Sequence, residues 1–313
     1  MTKKTALLFA GQGAQVVGMG KDLAAAYPSV AALVRQADEI LGRDLSRIMF
    51  EGPDTELTQT ANCQPALYVH GIACLTALRE ELGDFAIAAA AGLSLGEFTA
   101  HAAAGTYDFE TGLRLVDARS RYMQEACEAT TGAMAAMIGA EESVVRALAA
   151  ETDVDVSNLN TPGQVVISGE TAKVMLAISL SKDRGIRRAA PLNVAGAYHS
   201  RLMQSAYVKL GAELEKQSFH EPKFPVVCNI DAQPVREPAR IRETLREQVT
   251  GTVRWAQSIE YLIDREQIEQ FIELGPGAVL AGMVGRIRKG ADVLSVADAA
   301  SVKAVAAVLK DRA

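Results

Sequence analysis

Gly92-Leu93-Ser94-Leu95-Gly96 fits the pattern G-x-S-x-G. It follows the apolar run 86–91 and precedes a helix-like segment at 97–104, so the serine falls where a strand turns sharply into a helix. The flanking glycines leave room for such a turn. Ser94 would then stand exposed at a helix start, where backbone N–H groups can receive a developing oxyanion. A serine nucleophile also needs a base, and the chain has four histidines. His70 lies among Leu67, Val69, Ile72 and Leu75 and reads as a satisfied core residue. His101 is seven residues beyond Ser94 on the same helix and should point away from it. His220 sits in a polar stretch before Pro222, and His199 follows the small, flexible Ala195-Gly196-Ala197. Chain position alone leaves the choice of base open. Arg114, Arg119 and Arg121 cluster on one helix-like segment, a pattern that solvated surface charges would also give.

The elements that must carry these residues alternate between strand-like and helix-like runs, the mark of an α/β protein. Segments 5–9, 86–91, 226–230, 270–274 and 293–296 read as strands. Segment 28–41 reads as a helix: Val30, Leu33, Val34, Ala37 and Leu41 share a face, Pro28 opens it and Gly42 follows it. The middle of the chain has another rhythm. Strands at 133–138, 154–158, 164–168 and 187–194 and helices at 141–150 and 170–184 give the order βαββαβ, a ferredoxin-like signature. The expected architecture is an α/β-hydrolase-like large subdomain with a parallel sheet, residues 1–129 and 197–313, carrying a small ferredoxin-like subdomain inserted at 130–196.

Composition narrows the function classes. Of 313 residues, 49 % are hydrophobic and 22 % charged, which excludes a disordered chain. The net charge of −6, from 32 basic and 38 acidic residues, argues against nucleic acid as a partner. Cys63, Cys74, Cys127 and Cys228 form no C-x-x-C pair, so no metal site is expected and buried free thiols are. No stretch approaches the ~20 apolar residues of a membrane span. The run 6–10 is too short for a signal-peptide core, so the expected compartment is the cytoplasm.

Further motifs give the chain a specific resemblance. Gly11-Gln12-Gly13-Ala14-Gln15, the elbow continued to Glu97, Asn160-Thr161-Pro162-Gly163-Gln164 and onward to Gly169, Gly196-Ala197-Tyr198-His199-Ser200, and Glu273-Leu274-Gly275-Pro276-Gly277 span nearly the whole sequence. In these it resembles the malonyl-CoA:acyl carrier protein transacylases of fatty acid synthesis and the related acyltransferases of polyketide synthases. The resemblance implies that Ser94 is the nucleophile and His199 its base, that the backbone carbonyl of Gln248 orients the histidine in place of a carboxylate, and that the N–H groups of Gln12 and Leu95 form the oxyanion hole. It also implies that Arg119, 25 residues after Ser94, grips the malonyl carboxylate. Tyr198 takes the place of the residue that separates malonyl from methylmalonyl enzymes. Malonyl-CoA would be the substrate, an acyl carrier protein with its phosphopantetheine arm the partner, no cofactor would be bound, and a monomer is expected. Two positions depart from the family pattern. Leu93 replaces a common histidine before the nucleophile, and Gly251-Thr252 replaces an asparagine–proline pair before Trp255.

Three other readings compete. An editing acyl hydrolase or thioesterase would share the fold, but a dicarboxylate clamp at Arg119 would have no use on neutral acyl chains. An ordinary serine hydrolase carries its histidine near the chain end, whereas 114 residues follow His199. A non-catalytic scaffold for carrier protein would not need Ser94, His199 and Arg119 together.

Overall fold

Short runs of alanine, leucine, isoleucine and phenylalanine, buried on both faces, make the central strands, as a parallel sheet covered by helices requires. The computed structural model describes residues 3–312. Its strands are β1 (Thr5–Phe9), β2 (Ala89–Gly92), β3 (Gly132–Ile138), β4 (Asp155–Thr161), β5 (Gln164–Glu170), β6 (Arg188–Pro191), β7 (Val226–Val227), β8 (Pro234–Val235), β9 (Gln270–Leu274) and β10 (Asp292–Val296). The larger sheet has the order β10-β9-β1-β2-β7-β8 and is parallel except for the β7–β8 pair. The smaller sheet is antiparallel, with the order β4-β5-β3-β6. With the helices Glu142–Glu151 and Thr171–Leu180 packed on it, the smaller sheet has its own apolar core, built from residues such as Met137, Leu148, Ile167 and Val174.

The α/β class, the parallel sheet and the βαββαβ order are as the sequence leads one to expect. The helix Pro28–Leu41 and strands β1 and β9 match residue for residue. Strand 226–230 is cut to Val226–Val227, because the chain turns back at Cys228, whose carbonyl accepts from the Ala232 N–H. That turn creates β8, a two-residue edge strand that begins with proline and has no apolar periodicity to announce it. The helix after Ser94 starts at Leu95, two residues earlier than the pattern gives. All four cysteines are buried free thiols, and no helix among the described residues is long and apolar enough to cross a membrane.

The loop at the Gly251-Thr252 departure ties the two sheets together. The Val253 N–H donates to Ser157 O (2.8 Å), and the Leu159 N–H donates to Val253 O (2.9 Å). Thr252 Oγ1 donates to Val156 O (2.7 Å). One loop residue thus joins β4, while the next turn plants Trp255 in the core beneath the larger sheet.

The elbow glycines have a steric cause. A Cβ on Gly92 would lie 1.9 Å from the Gly96 carbonyl carbon, and one on Gly96 would lie 2.1 Å from Phe9 O. Both obstacles are backbone and cannot swing aside. By contrast, a Cβ on Gly285, in the helix Val279–Ile287, meets nothing within 4 Å. Gly96→Ala should therefore cost at least the ~1–3 kcal/mol typical of overpacking, and Gly285→Ala should gain up to about 1 kcal/mol of helix stability. Thermal unfolding followed by circular dichroism checks both; equal and small shifts would contradict the steric account.

Candidate active site

Ser94 caps the N-terminus of the helix Leu95–Ala103 at φ 52° and ψ −103°, a conformation that an L-residue holds only when its surroundings impose it. Asn229, just beyond β7, imposes it. The Ser94 N–H donates to Asn229 Oδ1 (2.7 Å), and Asn229 Nδ2 donates to Gly92 O (2.8 Å), so one side chain grips both sides of the elbow.

His199 also has a left-handed backbone (φ 55°). Its Nδ1 lies 2.6 Å from the carbonyl oxygen of Gln248. A carbonyl can only accept, so Nδ1 carries the proton and Nε2 is the acceptor in the neutral ring. Ser94 Oγ lies 2.8 Å from that Nε2, so the hydroxyl is set to give up its proton. Gln248 follows the last turn of the helix Pro238–Glu247, where the helix dipole is negative and favours a transient imidazolium. Burial, reinforced by the charge of Arg119, pulls the imidazole down to about 4, against its hydrogen bonds to the Gln248 and Gly251 carbonyls. At neutral pH the ring is an unprotonated base.

Arg119 is fully buried in the helix Phe109–Glu128. Its neighbours Arg114 and Arg121 are exposed and pair with Glu110 and Asp117 one turn before them. Arg119 instead donates from Nη1 to Gln64 Oε1 (2.6 Å), and from Nη2 to Gln248 Oε1 (2.9 Å) and to Ser94 Oγ (2.9 Å). Its guanidinium lies 5.3 Å from the centre of the Phe98 ring. Burial lowers it to about 10, with Glu97 opposing, so it stays charged at neutral pH. Among the described residues no carboxylate forms a salt bridge with it.

Ser94 and His199 line a cleft of about 220 Å³ together with Gln12, Leu93, Asn160, Tyr198 and Met283, and the fully buried Arg119 and Gln248 lie behind them. The Tyr198 hydroxyl is 2.5 Å from Thr60 Oγ1 and bonds to the Gln12 and Cys127 side chains, which fixes the ring as a wall of the cleft. The backbone N–H groups of Gln12 and Leu95 have no hydrogen-bond partner among the described residues. Leu95 is the first residue of its helix, where such donors are free to bind an anion. The structure thus brings Ser94, His199, Gln248, Arg119, Gln12, Leu95 and Tyr198 to one site. His70 bonds to Ala297 O and His101 to Thr106, both within the core. No cluster of three or more metal-binding side chains occurs among the described residues.

Sequence reading missed Gln64, Glu97 as a functional group, and Asn229. Glu97 had a signal, since it closes the elbow motif. Gln64 and Asn229 had none, because each reaches the site from a segment with no chemical pattern of its own.

A family model described as acyl transferase domain matches residues 6–311. A malonyl CoA-acyl carrier protein transacylase of Bacillus subtilis (strain 168) is 40 % identical over 315 residues, covering 98 % of both chains. An acyl-carrier-protein-S-malonyltransferase of Bartonella henselae superposes with a TM-score of 0.94 at 36 % identity, covering 98 % of this chain and 99 % of that one. A malonyl-transacylase solved in complex with its type II PKS acyl-carrier protein superposes with a TM-score of 0.93 at 38 % identity, covering 97 % and 99 %.

The site's electrostatics give a pH test that needs no natural substrate. Labelling of Ser94 by the neutral reagent phenylmethanesulfonyl fluoride should keep its His199-dependent rate down to about pH 5 and fall only as pH approaches about 4, where His199 gains a proton. Arg119→Met removes a neighbouring positive charge, so this acid limb should move up in pH. An acid limb near the ordinary histidine value of about 6.5 in the parent would contradict the buried, Arg-flanked base.

Proposed function

The chain belongs to the acyl transferase domain family, and from that premise we propose that it transfers a malonyl group from malonyl-CoA to the phosphopantetheine thiol of an acyl carrier protein, for fatty acid or polyketide synthesis. The observation that carries this reading is the buried guanidinium of Arg119, beside the serine–histidine pair and with no salt-bridge partner among the described residues. Residues 1–129 and 197–313 form the catalytic subdomain, and 130–196 is the inserted one. The enzyme works as a monomer in the cytoplasm and needs no cofactor.

The reaction proceeds in two symmetric halves. Ser94 Oγ attacks the thioester carbonyl while His199 Nε2 takes its proton; the C–S bond breaks, and His199 returns the proton to the departing CoA thiolate. The carrier thiol then attacks the malonyl-serine ester, with His199 again the base and Ser94 the leaving group. In both halves the oxyanion rests on the N–H groups of Gln12 and Leu95, and losing such a donor typically costs ~3–4 kcal/mol of barrier. The malonyl carboxylate takes over Arg119 donors that now bind Ser94 Oγ and neutral amides, forming the bidentate pair suited to guanidinium. An acetyl group would leave the buried charge unanswered, which gives selection for malonyl.

Intact-mass analysis after exposure to malonyl-CoA, followed by a chase with carrier protein, tests this directly. The parent should gain one malonyl adduct on Ser94 and lose it to the carrier rather than to water. Ser94→Ala should show none. Arg119→Ala should lose most transfer of malonyl, and Lys at 119 should restore it only in part, because it lacks the planar fork. A full-yield adduct on Ser94→Ala, or transfer by Arg119→Ala within about twofold of the parent, would remove the respective role.

Tyr198 sets extender choice. Its ring, tethered to Thr60, crowds the carbon next to the thioester carbonyl and disfavours a methyl branch there. One methyl group in a pocket is worth ~1–3 kcal/mol, so the preference for malonyl over methylmalonyl-CoA should be roughly 10–200-fold. Tyr198→Ser should raise the methylmalonyl-to-malonyl ratio of kcat/KM; an unchanged ratio in a folded variant would sink the steric gate alone.

A further inference from the structure

Glu97 is wholly buried one helical step behind the nucleophile, and the transfer steps make no use of it. Its Oε2 accepts from the Asn229 N–H (3.0 Å) and from Gln248 Nε2 (3.1 Å), while its Oε1 has no partner. The same Gln248 amide accepts from Arg119 Nη2 through its Oε1 (2.9 Å). One side-chain amide therefore stands between a buried cation and a buried carboxyl, with its accepting end on the cation and its donating end on the acid. Resting on the malonyl-transfer reading, we propose that Glu97 is a positioning and specificity residue: ionised, it is an internal counter-ion that answers the Arg119 charge through Gln248; protonated, it leaves that charge for the carboxylate of the incoming acyl group.

The chemistry around it supports this exchange. Two full negative charges and one guanidinium in a buried site would leave one anion uncompensated, so substrate carboxylate and ionised Glu97 oppose each other. By linkage, whatever the substrate does to the protonation of Glu97, the protonation of Glu97 does to substrate binding. Burial pushes the Glu97 carboxyl up to about 8, against the hydrogen bonds from Asn229 and Gln248 and the charge of Arg119, with Asp231 adding to the rise. The other groups facing it hold one state across the same range. Arg119 stays charged and His199 neutral, while Tyr107 and Cys228 are pushed up by burial and stay protonated. Asp231, at the turn after β7, pairs with Arg240 (3.2 Å) and accepts from the Gln233 N–H (3.0 Å).

The test is the pH dependence of kcat/KM for malonyl-CoA, which reports free enzyme and free substrate alone. In the parent it should fall about threefold or more between pH 7 and pH 9, as Glu97 loses its proton. Glu97→Gln keeps an acceptor for Asn229 and Gln248 but cannot titrate, so its profile should be flat within about twofold, whatever its absolute rate. A purely structural role would lower the rate without changing the slope. Should Glu97→Gln not fold, calorimetric titration of Ser94→Ala with malonyl-CoA at pH 8.5, in two buffers of different ionisation enthalpy, keeps the test open. Net proton uptake on binding supports the exchange, and none overturns it. A flat parent profile, or a fall retained in Glu97→Gln, also overturns it. A parent that transfers no malonyl group at pH 7 overturns the underlying function instead, and this inference with it.

Discussion

A fully buried positive charge governs this site. Removing an ion from water costs several kcal/mol even after the protein relaxes, and a partial answer from neutral dipoles does not fully repay that. Arg119 is answered by the Gln64 and Gln248 amide oxygens, the Ser94 hydroxyl and the face of Phe98, all uncharged. Two of these cation partners, Ser94 and Gln248, are also the partners of His199. Ser94 Oγ touches both Arg119 and His199, and Gln248 serves His199 with its backbone and Arg119 with its side chain. Charge, base and nucleophile form one connected network. A change at any of the three is felt by the other two, so their energies should not add as independent terms.

The same network stabilises strained backbone. Ser94 and His199, hydrogen-bonded to each other, both have positive φ, and each such residue costs about 1–3 kcal/mol. Asn229 braces the first from both sides of the turn. Gln248 braces both, with its carbonyl on the His199 ring and its Nε2 on Ser94 O. The glycines at 92 and 96 leave the turn no sideways room. Strain held this way brings reacting groups within hydrogen-bond distance before substrate arrives, which is the condition for low reorganisation during the proton transfer.

Much of this was legible in the sequence, for identifiable reasons. The central strands are buried on both faces, so they appear as continuous apolar runs. The helix Pro28–Leu41 is amphipathic and carries its own start and stop residues. The elbow shows because its chemistry is local, with steric and nucleophilic requirements inside five residues. The buried arginine was harder. Arg119 and its neighbours Arg114 and Arg121 look alike in sequence, and only the helix phase against the core decides which one is buried. Asn229 and Gln64 stayed hidden because they act across 135 and 55 residues of chain, through single hydrogen bonds with no periodic signature. The edge strand Pro234–Val235 is set by a turn and a two-residue pairing, too short for any pattern.

The position of the base is the least local feature, and it depends on the smaller sheet. His199 leaves that sheet at its exit, and Gln248 approaches from the helix Pro238–Glu247, so two separate segments must converge to within one hydrogen bond. Both are fastened to β4. After His199, the Arg201 N–H and guanidinium bind Asp155, the first residue of β4, and the guanidinium also reaches Asp153 just before it. After Gln248, Thr252 and Val253 bind the backbone of Val156 and Ser157 on the same strand. The exposed Arg201 pairs are individually weak, but the two backbone ties of Val253 are buried and form a single parallel bridge to β4. β4 therefore acts as a common jig for the imidazole and for the carbonyl that orients it. The smaller sheet is therefore part of the geometry that sets His199 against Ser94, as well as a wall of the cleft.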